Sequence, residues 1–183
     1  MTDPTPPSAP QILHEGRYLR LIDDDGWEYA QRTGVSGVVV IVAVTEGAAP
    51  ALLLVEQYRK PVQARVLELP AGLAGDIAGE EEEPLVRAAQ RELLEETGYT
   101  ASSWRLLGEA PVTAGLTDET VTFFHAQGLV RESDGGGDES EDIEVLLVPL
   151  SELRTTLAAK RAAGVQIDAK IGGGIWMAGV QPS

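Results

Sequence analysis

Glu92, Glu95 and Glu96 follow Arg91 at a spacing of i, i+3 and i+4. On an α-helix that spacing projects all three carboxylates from one face, where they can share a site. Like charges one turn apart repel by roughly 0.2–0.5 kcal/mol per exposed pair, so stability alone does not ask for this arrangement. A solvated acidic face is the plain alternative. Chemically, hard oxygen donors on a rigid helix suit Mg²⁺ or Mn²⁺, which take carboxylate and phosphate oxygens at about 2.1 Å and keep several waters. Such ions neutralise a diphosphate, polarise phosphorus and lower the pKa of a bound water.

The helix that must carry these acids has a start and a stop. Glu80 to Glu83 place negative charge at its N-terminus, Pro84 suits the first helical position, and Gly98 suits the C-terminal cap. Winding residues 84–97 as a helix puts Val86, Ala89 and Leu93 on one stripe and Leu94 on its far border, with the three acids on the flank. One side packs and the neighbouring side holds acid.

The stretch from Gly72 to Tyr99 resembles the Nudix box. Its second half, Arg-Glu-aliphatic-any-Glu-Glu-any-Gly-aliphatic, fits from Arg91 onward, with Tyr99 in place of the last aliphatic residue. The first half departs: Ala78 stands where the pattern has Glu, and ten residues separate Gly72 from Glu83 where the family has five. The extra residues read as an inserted loop, which Gly75 and Gly79 make sterically feasible.

Over about residues 27 to 180 the chain is similar to one branch of that family, the ADP-ribose pyrophosphatases. The similar segments are Trp27 to Thr33, Glu56-Gln57-Tyr58-Arg59, Glu68-Leu69-Pro70-Ala71-Gly72, Gly115 to Glu119, Asp138 to Asp142 and Val165 to Ala169. The resemblance implies that the Ala71 carbonyl, Glu92, Glu96 and Glu141 hold Mg²⁺ or Mn²⁺, with Glu95 joining when several ions bind. Glu139 would be the general base for the attacking water, with Glu141 as the rival, and Arg91 would orient the acids. Arg32 and Arg59 would contact the diphosphate or the terminal ribose, while Leu116, Thr117 and Glu119 belong to a substrate loop. Trp27 would stack on adenine or sit in a dimer interface.

The implied fold is α/β (α+β): a Nudix α/β/α sandwich with a mixed sheet and a small N-terminal antiparallel β-hairpin region. The implied activity is metal-dependent hydrolysis of the diphosphate of ADP-ribose to AMP and ribose 5-phosphate, by a homodimer whose N-terminal strands complete the partner's site. A broader nucleoside diphosphate sugar or dinucleotide pyrophosphatase is the alternative enzyme. A non-catalytic nucleotide-binding module is the alternative of another class.

Composition bounds these readings. The 183 residues, 43% of them apolar, suffice for one domain with a core. The organisation expected is a proline-rich disordered tail over 1–12, not a signal peptide, then N-terminal strands for dimerisation and substrate contact over 13–34 and a catalytic domain over 35–183. A net charge of −15 argues against nucleic-acid partners. No apolar run approaches a membrane span, and the lack of Cys excludes thiolate chemistry and fits a cytoplasmic location. His14 and His125 are too far apart in the chain to suggest a ligand pair.

Strands are expected over 17–22 and 27–31 as a hairpin, then over 37–44, 51–58, 104–109, 121–127 and 143–148. A second helix is expected over 151–163 with Ser151 as its N-cap and Gly164 as its stop, and a third after Asp168 through Gly172 to Gly174. The polar, glycine-rich run from Arg131 to Asp142 reads by composition as a flexible surface loop, and the resemblance, which puts Glu139 in it, implies a loop that closes on substrate.

Overall fold

The computed structural model describes residues 9–137 and 142–181. Its first layer is a three-stranded antiparallel sheet of β1 (Gln11–Glu15), β2 (Leu19–Asp24) and β3 (Trp27–Arg32). The expected hairpin is its second half. Asp24 pairs with Trp27, and between them Asp25 and Gly26 adopt φ of 54° and 86°. Two successive positive-φ residues match the right-handed twist of the flanking strands.

The run Gly37–Ala43 forms β4, and a strand with no polar face must be covered on both sides. Residues 39 to 43 are fully buried. Val39, Ile41 and Ala43 pack with Ala88, Ala89, Leu93 and Phe124. Val40 and Val42 face the other way, toward Leu52, Leu54, Leu67, Phe123, Ile171 and Ile175. The period of two along one strand thus divides two apolar cores, and each large side chain so buried contributes about 1.5–3 kcal/mol.

Two mixed four-stranded sheets build on this divide. One joins β4 to β7 (Ala71–Ala74), and runs on through β9 (Thr120–Arg131) to β8 (Tyr99–Pro111), with β4 and β9 parallel. The other orders β10 (Glu144–Pro149), β5 (Ala51–Arg59), β6 (Ala64–Glu68) and β11 (Gln166–Ile167), with β6 and β11 parallel. Helix α1 (Leu85–Thr97) covers one core, while α2 (Leu153–Ala162) and α3 (Lys170–Ala178) cover the other. This is the expected sandwich with mixed sheets.

Several local expectations shift. Pro84 is extended, at φ −61° and ψ 135°, so it precedes α1 instead of starting it, and no acid lies in the first turn. Its fixed φ and absent N–H suit the position before the helix as well. Ser151 is not an N-cap: it lies in a 3-10 turn over Leu150–Glu152 that leads into α2. Gly164 ends that segment at φ 90°, as expected. Helix α3 tolerates three consecutive glycines, and at Gly174 a Cβ would lie 2.7 Å from Leu69 Cδ1 and 2.9 Å from Val42 Cγ2. The strands β1, β6, β7 and β11 were not expected because runs of two to five residues hardly display a period.

Candidate active site

Helix α1 presents its acids in three environments. Glu96 is buried, Glu92 half-buried and Glu95 exposed. The reason is packing: Ala88, Ala89 and Leu93 seat the helix on β4 and β7, and Glu96, one turn beyond Glu92, falls on the buried side of the flank. There Glu96 Oε2 accepts the Ala71 N–H at 3.0 Å. Glu92 lies against Gly72 so closely that a Cβ there would sit 1.9 Å from the Glu92 carboxyl carbon. The glycine is needed for contact with a carboxylate.

Burial raises the Glu92 carboxyl to a pKa of about 7, with Glu95 and Asp76 adding to the rise and Arg91 opposing it. Arg91 is the organiser of this corner. Its Nη1 donates to Glu92 at 2.8 Å and to Glu95 at 3.2 Å. Its Nη2 donates to the Leu73 carbonyl at 2.8 Å and to Glu83 at 3.2 Å. The displaced Glu83 therefore meets the helix despite the longer loop.

A cleft of about 490 Å³ opens beside this corner. Of the residues expected in the site, Ala71, Glu92, Glu96, Arg32, Arg59 and Glu119 line it. Arg32 Nε donates to Glu119 at 2.5 Å, and Arg59 Nε to Glu68 at 2.7 Å. Glu95 and Arg91 lie outside the lining, and so do three of the expected substrate contacts. Trp27 is 63% exposed at the β2–β3 turn, and Leu116 is 64% exposed. Leu116 and Thr117 instead tie the N-terminal sheet to the body: the Leu116 carbonyl accepts the Ala30 N–H at 2.8 Å, and Thr117 bridges to Ala30. Glu139 and Glu141 lie outside the described residues.

The cleft also holds Glu68, Asp76 and Lys170, which sequence reasoning did not assign. Lys170 begins α3, and its Nζ donates to Asp168 Oδ2 at 2.5 Å while its N–H donates to Asp168 Oδ1 at 2.7 Å. Parallel pairing of β11 with β6 brings this pair beside Glu68. Burial raises the Glu68 carboxyl and Asp168 adds to that, against Arg59 and Lys170. Lys170 stands one residue beyond the similar segment Val165 to Ala169, so no pattern in the sequence marked it.

The glycine-rich run after β9 has a structural task at α1. Gly136 N–H donates to the Glu96 carbonyl at 2.9 Å and Gly137 N–H to the Glu95 carbonyl at 3.0 Å. These satisfy carbonyls that a helix end leaves without partners. At Gly135, φ is 69° and a Cβ would lie 2.3 Å from the Thr97 carbonyl carbon, so close backbone approach accounts for that glycine. His125, by contrast, is a core residue of β9, buried beside Arg105 Nη2 at 3.2 Å.

The donor chemistry fits a hard divalent cation. Two carboxylates converge on the Ala71–Gly72 backbone, one of them desolvated enough to favour a counter-charge. Among the described residues no group of three or more acidic or histidine side chains is placed to hold a metal ion by itself.

A NUDIX domain model matches residues 35–168, well over half of the chain. The chain belongs to the Nudix family. As a Nudix hydrolase it is similar to an ADP-ribose pyrophosphatase of Bacillus subtilis (strain 168), at 37% identity over 71% of this chain and 70% of that protein. It is also similar to a methanol dehydrogenase activator of Bacillus methanolicus, at 33% identity over 81% of this chain and 80% of the relative. A solved structure of an ADP compounds hydrolase shares the fold, with a TM-score of 0.56 at 22% identity over 83% of this chain and 86% of its own. Nudix hydrolases generally need a divalent metal. Among the described residues no helix of this one is long and apolar enough to cross a membrane.

Proposed function

We propose that this Nudix hydrolase splits the diphosphate of ADP-ribose into AMP and ribose 5-phosphate with Mg²⁺ or Mn²⁺. One observation carries the reading. A single cleft is lined both by Glu92 and Glu96 and by Arg32, Arg59 and Lys170, each cation held by its own carboxylate. Guanidinium forks match phosphate oxygens, and pairing with Glu119 and Glu68 fixes their orientation before substrate arrives.

Glu92, Glu96, Glu141 and the Ala71 carbonyl would hold the metal, with Glu95 available to further ions. When bound, the metal supplies charge neutralisation and Lewis acidity at the diphosphate. Arg91 keeps the acids oriented. Glu139, with Glu141 as rival, would take the proton from the water that adds to one phosphorus as the P–O–P bond breaks. The N-terminal sheet would pair with a second copy of the chain, and that would carry Trp27 to the partner's adenine pocket. Its exposed Ile12, Leu19 and Leu21 support the pairing.

Asp76, from the inserted loop, lines the same cleft, and this favours a second reading as a broader nucleoside diphosphate sugar or dinucleotide pyrophosphatase. Hydrolysis of ADP-ribose, ADP-glucose, GDP-mannose, NADH and diadenosine polyphosphates, with and without metal, decides between them. AMP released from ADP-ribose well ahead of the others supports the proposal, and a different best substrate selects the broader reading. Tight ADP-ribose binding without turnover under either metal would identify a binding module instead.

A further inference from the structure

The residues inserted between Gly72 and Glu83 do not fold away from the site. The Ala74 carbonyl accepts the Ser36 N–H at 2.8 Å, and Gly75 then turns the chain at φ +74°. The turn is tightly enclosed: a Cβ on Gly75 would lie 2.7 Å from the Glu81 carbonyl oxygen and 2.9 Å from Ser36 Oγ. It delivers Asp76 to the wall of the cleft. There Asp76 Oδ1 is 3.5 Å from Arg91 Nη2, the nitrogen that also meets Glu83 and the Leu73 carbonyl. The other fork nitrogen, Nη1, holds Glu92 and Glu95.

We propose that Asp76 is a positioning residue that acts through Arg91, anchoring the guanidinium on the loop side so that Glu92 can be given up to a divalent cation. The inference rests on the reading of Glu92 as a metal ligand. A carboxylate that turns an oxygen toward a cation surrenders part of its bond to Nη1. Arg91 is a rigid fork with a permanent charge, so with too few acceptors on its far edge it would follow Glu92 and compete with the cation. Asp76 and Glu83 supply the opposing charge. The side chain of Glu83 is 7% exposed and already engaged, whereas that of Asp76 is 38% exposed. Its 3.5 Å separation, at the edge of hydrogen-bond reach, leaves room to close.

The test is Mn²⁺ binding to the full chain, read from the electron paramagnetic resonance signal of free Mn²⁺, with circular dichroism to verify folding. Asp76→Asn is expected to weaken binding about five-fold, on the scale of coupled neighbouring charges. Asp76→Glu should restore most of it, and Glu82→Gln, which removes an exposed charge from the same loop, should leave it unchanged. In an Arg91→Ala background Asp76→Asn should have no further effect. Should that background fail to fold, Arg91→Lys, which keeps the charge without the fork, takes its place. Equal weakening by Glu82→Gln, or an undiminished effect without Arg91, overturns the proposal in favour of a general negative field. Mn²⁺ binding by wild type with an unchanged Asp76→Asn overturns this inference alone. A wild type that binds no Mn²⁺ overturns the reading of Glu92 and this inference with it.

Discussion

Glu92 is held between opposing demands. Burial raises its carboxyl to about 7, against the ordinary 4.5, even with Arg91 at 2.8 Å. Between those values the folded chain binds more protons than the unfolded one, so this group's contribution to stability falls as pH rises through the window. Its upper bound is about 3 kcal/mol, at about 1.4 kcal/mol per pKa unit. Without divalent cations, wild type should therefore lose thermal stability relative to Glu92→Gln as pH climbs from about 5 to about 8. Added Mg²⁺ should reverse the loss in wild type alone, because a cation favours the charged form. Thermal melts across pH check this, and a difference that does not vary with pH would refute it. A second residue-scale expectation concerns Gly72, where any Cβ would occupy the space of the Glu92 carboxyl. Gly72→Ala should fold yet bind Mn²⁺ at least ten-fold more weakly than wild type, roughly the scale seen when the support of a metal ligand is disturbed; isothermal titration measures it.

At the scale of elements, α3 separates propensity from packing within three consecutive residues. Nothing lies within 4 Å of a Cβ built at Gly172 or Gly173, whereas at Gly174 it would strike Leu69 and Val42. Gly172→Ala and Gly173→Ala should each stabilise by about 0.5–1 kcal/mol through helix propensity. Gly174→Ala should destabilise by about 1–3 kcal/mol, since overpacking at a helix–sheet contact outweighs that gain. Chemical denaturation of the three variants reads both signs. Helix α1 shows a different economy: its C-terminal carbonyls are capped by Gly136 and Gly137, so the segment leading to Glu139 starts from the helix that carries the acids.

At the scale of the molecule, the N-terminal sheet is the part least committed to the core. Period two along β2 puts Leu19 and Leu21 on one face, both exposed, and Ile22 on the other, buried. The sheet meets the body through the Ala30 bridge, a 2.7 Å bond from Gln31 to Asp118 and the Arg32–Glu119 pair. If a second copy covers the apolar face, Leu19→Glu should convert a dimer to a monomer by light scattering. Far-UV circular dichroism should stay unchanged, and Trp27-dependent substrate affinity should fall with the dimer. A wild-type monomer at assay concentration would remove the shared-site argument.

What was legible in the chain was local. The spacing of Glu92, Glu95 and Glu96, the cap at Gly98 and the apolar runs of β4 and β5 lie within one element each, and their periods are written in consecutive residues. So the acidic helix and a mixed sheet around it follow from the order of side chains, whereas the sandwich was what the resemblance to the Nudix family implied. The rest depends on which distant elements pair. Parallel pairing of Gln166 with Val66 and Ile167 with Leu67 sets Lys170 beside Glu68, and the tight turn at Gly75 sets Asp76 beside Arg91. No local pattern announces either contact, because a period says which side of an element is apolar and not which remote element will cover it. The same limit explains why three acids on one helix face end up buried, half-buried and exposed: their spacing is intrinsic to the helix, but the angle at which α1 settles on β4 and β7 belongs to the folded whole.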